Sequence, residues 1–121
     1  MELTPEYVLF VNRSVQEIKS EANTIRHKDR LDFIVAKINE MVARKVDPVK
    51  LLAYILRSFP VEQPFSNGNH RTAYLLFVIY SIYLGDAHLV YKITFKDEEF
   101  IRFVEFLTAE QVESIIRRHL L

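Results

Sequence analysis

Apolar residues in this chain return every third or fourth position, stretch after stretch, and most stretches open on a cap-forming residue or a proline. That spacing lines one side of a helix; a strand face would need alternation with a period of two. Thr4-Pro5-Glu6 supplies an N-cap, a proline at the first helical position and an early acid. Tyr7, Phe10, Val11, Val15 and Ile18 follow at helical intervals. Ser20 to His27 is polar and reads as a connector. Leu31, Ile34, Val35, Ile38, Met41 and Val42 form a second stripe, with Arg30, Lys37, Glu40 and Arg44 on its solvated side. Asp47-Pro48 opens a third helix carrying Leu51, Leu52, Ile55, Leu56 and Phe59. Pro60 is predicted to end it, because the ring breaks the hydrogen-bond ladder.

Val61 to Asn69 reads as a loop, with Pro60, Pro64 and the Asn67-Gly68 pair crowded around it. From about His70 the pattern predicts a helix apolar on every side, through Ala73, Leu76, Phe77, Ile79, Ile82 and Leu84. Such a helix is a buried one. Gly85 is placed to stop it in the left-handed conformation. His88 to Phe95 alternates weakly and reads as a short strand or an extended connection. Asp97-Glu98-Glu99 begins another helix, with Phe100, Phe103, Val104, Phe106 and Leu107 on its apolar side. Thr108 and Gln111 form a capping box for a last helix bearing Val112, Ile115, Ile116 and Leu120. Arg117, Arg118 and His119 lie near its end, where cations suit the helix dipole. The expected architecture is a compact all-α bundle of about six helices around a buried central helix, residues 71–84, with residues 1–121 as a single domain.

Composition narrows the function. Half of the 121 residues are hydrophobic, enough for a real core. Lys plus Arg equals Asp plus Glu at 16 each, a balance that argues against broad, sequence-independent nucleic-acid binding and leaves room for a small local patch. There is no cysteine, which removes disulfides, thiolate metal sites and cysteine nucleophiles. The longest uncharged run, Thr72 to Leu84, is too short for a helix that crosses a bilayer, which needs about 20 residues. The N-terminus has no basic start followed by an apolar run. A cytoplasmic protein is expected.

One junction carries chemistry: Phe65-Ser66-Asn67-Gly68-Asn69-His70-Arg71. Gly68 permits positive φ and brings no side chain against a ligand. Asn67 and Asn69 tolerate tight turns and offer amide donors and acceptors. The following helix presents unpaired N–H groups and partial positive charge at its start. Arg71 adds a planar, permanently charged fork. Together these are the parts of a phosphate cradle, with Phe65 as the plug that pins the loop to the core. An ordinary turn beside a surface arginine uses the same residues.

Gln63-Pro64-Phe65-Ser66-Asn67-Gly68-Asn69-His70-Arg71-Thr72-Ala73 resembles the signature of the Fic/Doc (Fido) family, and its Doc, or death-on-curing, branch in particular. That signature reads His-Pro-Phe-x-Asp/Asn-Gly-Asn-Lys-Arg-Thr-Ala. Seven of the eleven positions carry the fixed residue, and Asn67 is an allowed alternative. The resemblance implies a helical transferase that moves AMP (AMPylation) or phosphate from a nucleotide such as ATP to a hydroxyl on a target protein. Gly68, Asn69, His70 and Arg71 would then hold the nucleotide phosphates. Asn67 would stand where the family places its Mg²⁺ ligand. Gln63 would occupy the position of the catalytic base, with Arg71 neutralising charge. It also implies a toxin or regulator restrained by an antitoxin-like partner, as in toxin–antitoxin pairs.

The chain departs from that signature at Gln63. The family has its proton-accepting histidine there, and a glutamine amide has no useful basicity near neutral pH. His70 replaces the usual lysine, and Tyr74 stands where Fic-type members carry a second arginine. An alternative reading follows: a catalytically impaired Fido domain that serves as a nucleotide- or partner-binding module. His27, His88 and His119 lack ligand-like spacing. Tyr74, Tyr80, Tyr83 and Tyr91 read as core and rim packing.

Overall fold

A computed structural model describes residues 2–14, 24–85 and 98–120. The possible strand at His88 to Phe95, and Val15, Ile18 and Tyr91, lie outside these residues. Among those described there are six α-helices: α1 (Pro5–Ser14), α2 (Lys28–Ala43), α3 (Pro48–Glu62), α4 (Asn69–Tyr83), α5 (Glu98–Arg102) and α6 (Ala109–Leu120). A single 3-10 turn, Val104–Phe106, joins α5 to α6. The architecture is all-α, as expected. The one β-type contact described is an isolated antiparallel bridge between Ile25 and Phe65. None of the described helices is long and apolar enough to cross a membrane.

The caps form as their residues dictate. Thr4 Oγ1 accepts the Tyr7 N–H at 3.1 Å, and Asp47 Oδ1 accepts the Val49 N–H at 3.0 Å. The Thr108–Gln111 box closes in both directions, with bonds of 2.8 and 3.1 Å. Gly85 sits at φ 83°, just past α4. Leu31, Ile34, Val35 and Ile38 of α2 are buried, and the opposite face is exposed.

α3 is the most widely packed helix, meeting α2, α4, α6 and the 3-10 turn. Leu52, Ile55, Leu56 and Phe59 are fully buried there. α4 lies on α3 and α1, with Leu76, Phe77 and Tyr80 in the core. Burial pushes the Tyr80 hydroxyl up to about 12.

Four expectations need correction. Pro60 does not end α3, which runs on to Glu62. Proline removes one ladder bond in the last turn, but the Gln63 N–H still reaches the Phe59 carbonyl at 2.8 Å, and Arg30 Nη1 donates to the Glu62 carbonyl at 3.0 Å. The chain leaves the helix when Gln63 turns left-handed, at φ 46° and ψ 58°. Second, α4 is not enclosed all round: its last turn is open, with Ile82 61% exposed. Third, α1 is rotated from its expected phase. Val8, Val11 and Asn12 face the core, whereas Tyr7 is exposed and Phe10 is 66% exposed. Fourth, the segment after α5 tightens to three residues per turn, which brings Phe103 and Phe106 side by side at 6.2 Å on the outer surface. Only Val104 of that turn reaches the core.

A long-range pair joins the ends of α3 and α6. Arg117 Nη2 donates to Asp47 Oδ2. That guanidinium, together with the Val49 N–H, holds the Asp47 carboxyl below its usual value of 3.8. A depressed carboxyl contributes stability above its unfolded pKa and loses it as pH falls through the folded value. Asp47→Asn should therefore be less stable than the parent at neutral pH, by about 0.2–1 kcal/mol given how exposed the pair is. The gap should close in strong acid. Urea melts of both proteins across the acid range check this.

Candidate functional site

The sequence folds into a site here because its residues leave the backbone few choices. Gln63 closes α3, Pro64 cannot extend it, and Phe65 is fully buried. The Pro64 carbonyl accepts the Arg26 and His27 N–H groups at 2.7 and 3.0 Å. The Ser66 N–H reaches the Thr24 carbonyl at 3.1 Å. A short piece of chain ahead of α2 thus clasps the loop. Gly68 then takes φ 74° and ψ 21°, a left-handed turn that directs the backbone into α4.

The first ladder bond at this end of α4 runs from the Thr72 N–H to the Gly68 carbonyl at 2.9 Å. The N–H groups of Asn69, His70 and Arg71 stand ahead of that ladder, at the positive end of a 15-residue helix. An open cavity of about 320 Å³ is lined by Asn67, Gly68, Asn69, His70 and Arg71. Five of the residues expected to hold phosphate or metal therefore line one space. Gln63 is not among its lining residues; it lies exposed at the end of α3. Phe65 is fully buried beneath the loop.

The side chains differ from expectation in two places. Asn69 is 9% exposed and both ends of its amide are engaged: Oδ1 accepts the Phe65 N–H at 3.2 Å, and Nδ2 donates to the Phe65 carbonyl at 3.0 Å. Its side chain staples the loop, which leaves its backbone N–H as what it can offer a ligand. His70 Nε2 lies 2.8 Å from Glu105 Oε2 on the 3-10 turn. The imidazole is tied to a carboxylate at the rim of the cavity.

Asn12 shapes this loop and was not picked out from the sequence. It is fully buried on α1, and its Nδ2 donates to the Asn67 carbonyl at 2.9 Å and to Thr72 Oγ1 at 3.0 Å. Thr72 Oγ1 in turn donates to the Gly68 carbonyl at 2.7 Å. Asn12 Oδ1 is buried without a partner. One side chain therefore fixes the carbonyl of Asn67 and the first turn of α4. The signal was present, since Asn12 is four residues after Val8 on the stripe that the core claims. Asn12→Ala should lower stability by about 1–3 kcal/mol, as it leaves the Asn67 carbonyl without its buried donor. Thermal or urea melts measure this directly.

The residues here do not fit a protein-held Mg²⁺. Asn67 provides one neutral amide oxygen, and Glu105 is engaged by His70. No group of three His, Cys, Asp or Glu able to hold a metal comes together among the described residues. Mg²⁺ is usually gripped by one or two carboxylates plus substrate phosphates.

Searches of curated proteins and of solved structures return no match. The sequence profile of the Fic/DOC family does match, over residues 2–81. That span runs from α1 through the clasped loop and nearly all of α4, and so contains every residue that builds the cavity. On that match over more than half its length, this chain belongs to the Fic/DOC family.

Proposed function

We propose that the chain seats the polyphosphate of a nucleotide such as ATP at the start of α4, and transfers phosphate or AMP from it to a protein hydroxyl without the help of a general base. The family makes a Fido-type transferase the general kind of activity; the nucleotide, the slowed chemistry and the acceptor are our reading. The observation that carries it is the polar cavity at the N-terminus of α4, lined by consecutive residues 67–71. Backbone N–H groups and helix polarity favour an anion there, and Arg71 adds a fork suited to phosphate oxygens.

In this reading the loop and Arg71 position the phosphates and take up charge that develops during transfer. Gln63 lies at the end of α3, just ahead of that loop, where its amide would orient an attacking hydroxyl but cannot accept the proton. A loose phosphoryl-transfer transition state needs little push from a base, so slow transfer is consistent with this arrangement. The neutral Asn67 makes binding of the nucleotide largely independent of Mg²⁺. A second reading, a module that binds nucleotide or a protein partner with no transfer, is favoured by the exposed Gln63 and by the engagement of His70 with Glu105.

The test is a thermal shift. ATP at about a hundredfold excess over its Kd should stabilise the protein by about 2.7 kcal/mol. Chelating Mg²⁺ should leave that shift unchanged. Arg71→Ala should weaken binding by about tenfold or more, the loss of a charge-assisted contact. Unchanged binding by that variant would remove Arg71 from the site, and no shift with any nucleotide would sink the reading.

A further inference from the structure

Asn67 and Gly68 stand together at the mouth of the cavity. Asn67 is exposed, and no hydrogen bond holds its side-chain amide among the described residues. None engages the Gly68 N–H either. Gly68 has no side chain to shield its nitrogen. Exposure and the lack of competing hydrogen bonds favour attack of a backbone nitrogen on the amide carbon beside it, the reaction that makes asparagine thermolabile.

We propose that Asn67 is a self-modification site, converted to a carboxylate by attack of the Gly68 nitrogen. A bond forms between the Gly68 nitrogen and Asn67 Cγ, and the bond from Cγ to Nδ2 breaks. Nδ2 leaves as ammonia, carrying the proton that the Gly68 nitrogen gives up. The product is a cyclic succinimide. Water opens it, its hydroxyl adding to one ring carbonyl and its proton returning to the nitrogen. Opening at Cγ gives aspartate. Opening at the main-chain carbonyl carbon gives isoaspartate, with the chain rerouted through Cγ. Nothing is oxidised or reduced, and water is the only co-reactant.

The neighbouring amides are protected. Asn69 is bonded at both ends to the Phe65 backbone, and Asn12 is fully buried. Each must wait for local opening before it can react. The modification therefore singles out one amide of this loop.

Its consequence rests on the phosphate seat proposed above. A carboxylate at position 67 puts a full negative charge at the lip of the cavity. The positive end of α4 tolerates that charge, but a bare polyphosphate is repelled by it. The aspartate form keeps the main-chain carbonyl that Asn12 holds, whereas the isoaspartate form displaces it and loosens α1.

The full chain, aged folded at mildly alkaline pH and then cut with trypsin, yields the fragment Ser58 to Arg71, which carries Gln63, Asn67 and Asn69. Asn67 should gain one mass unit about tenfold or more faster than Asn69 in the same molecules. Asn67→Gln should abolish the gain at that position. If Asn67 stays unmodified in the folded chain while the isolated fragment is modified over the same time, the proposal is overturned. Asn67→Asp supplies the aspartate product directly. Its thermal shift with ATP should be severalfold smaller than that of the fresh parent. Equal shifts of the two proteins overturn the repulsion. If the mass gain occurs but neither protein shifts with ATP under any condition, the phosphate seat is wrong and the modification stands.

Discussion

Replacing Gln63 by histidine raises the rate of transfer from ATP to a protein hydroxyl by about a hundred- to ten-thousandfold, the range that a positioned base contributes. The fold accommodates the change. Gln63 is exposed, and its backbone is left-handed at φ 46°. Histidine enters that region more readily than most residues. Its imidazole would take the proton from the attacking hydroxyl, and nothing in the core has to move. The measurement is incubation of each protein with cell extract and ATP labelled at the α- or γ-phosphate. Label retained from the α position reports AMP transfer, and from the γ position alone, phosphate transfer. A Gln63→His protein that binds ATP as the parent does, yet labels nothing more, would show that the missing base is not what limits this chain.

Phe65→Ala should lower stability by about 3–5 kcal/mol. The ring is fully buried, and truncating it leaves a cavity under the loop that the surrounding helices cannot fill. The damage spreads, since Phe65 also supplies the N–H and carbonyl that Asn69 holds and the bridge to Ile25. A fall in Tm of about 10 °C or more follows, together with loss of the ATP-dependent shift. Calorimetry of the variant checks both. Phe65→Leu, which keeps most of the volume, should lose much less. A Phe65→Ala protein that melts near the parent would mean that the ring does not anchor the loop.

The helices were legible because their ends are written locally, in Thr4-Pro5, Asp47-Pro48, Thr108 with Gln111, and Gly85. The loop was legible because Pro64 and Asn67-Gly68 forbid regular structure. What escaped the sequence was side-chain partnership across long separations. His70 finds Glu105 35 residues away, and Arg117 finds Asp47 70 residues away; no local pattern encodes either pair. The phase of α1 was misread because Tyr7 and Phe10 look like core residues by hydrophobicity, while the polar Asn12 holds the inward position. Asn69 was expected to face a ligand because its amide suits one, but the same amide suits the backbone of Phe65 equally well. Pro60 was read as a stop signal from its ring alone, without the Phe59 carbonyl that still had a donor in reach.

The clasp between Thr24–His27 and Pro64–Ser66 encloses α2 and α3 within one ring of chain, closed by contacts between positions 37 to 42 apart. Joining such distant points adds only a logarithmic entropic penalty, but it must follow the docking of the helices that draw the ends together. The loop that the clasp pins is therefore complete only when both helices are in place. A nascent chain that has not yet released Thr72 from the ribosome has no place for Asn12 to bind and no seat to offer. On the proposed reading, recognition of a nucleotide would be restricted to the finished molecule, and occupancy of the seat would gauge how much of the chain has reached its native form.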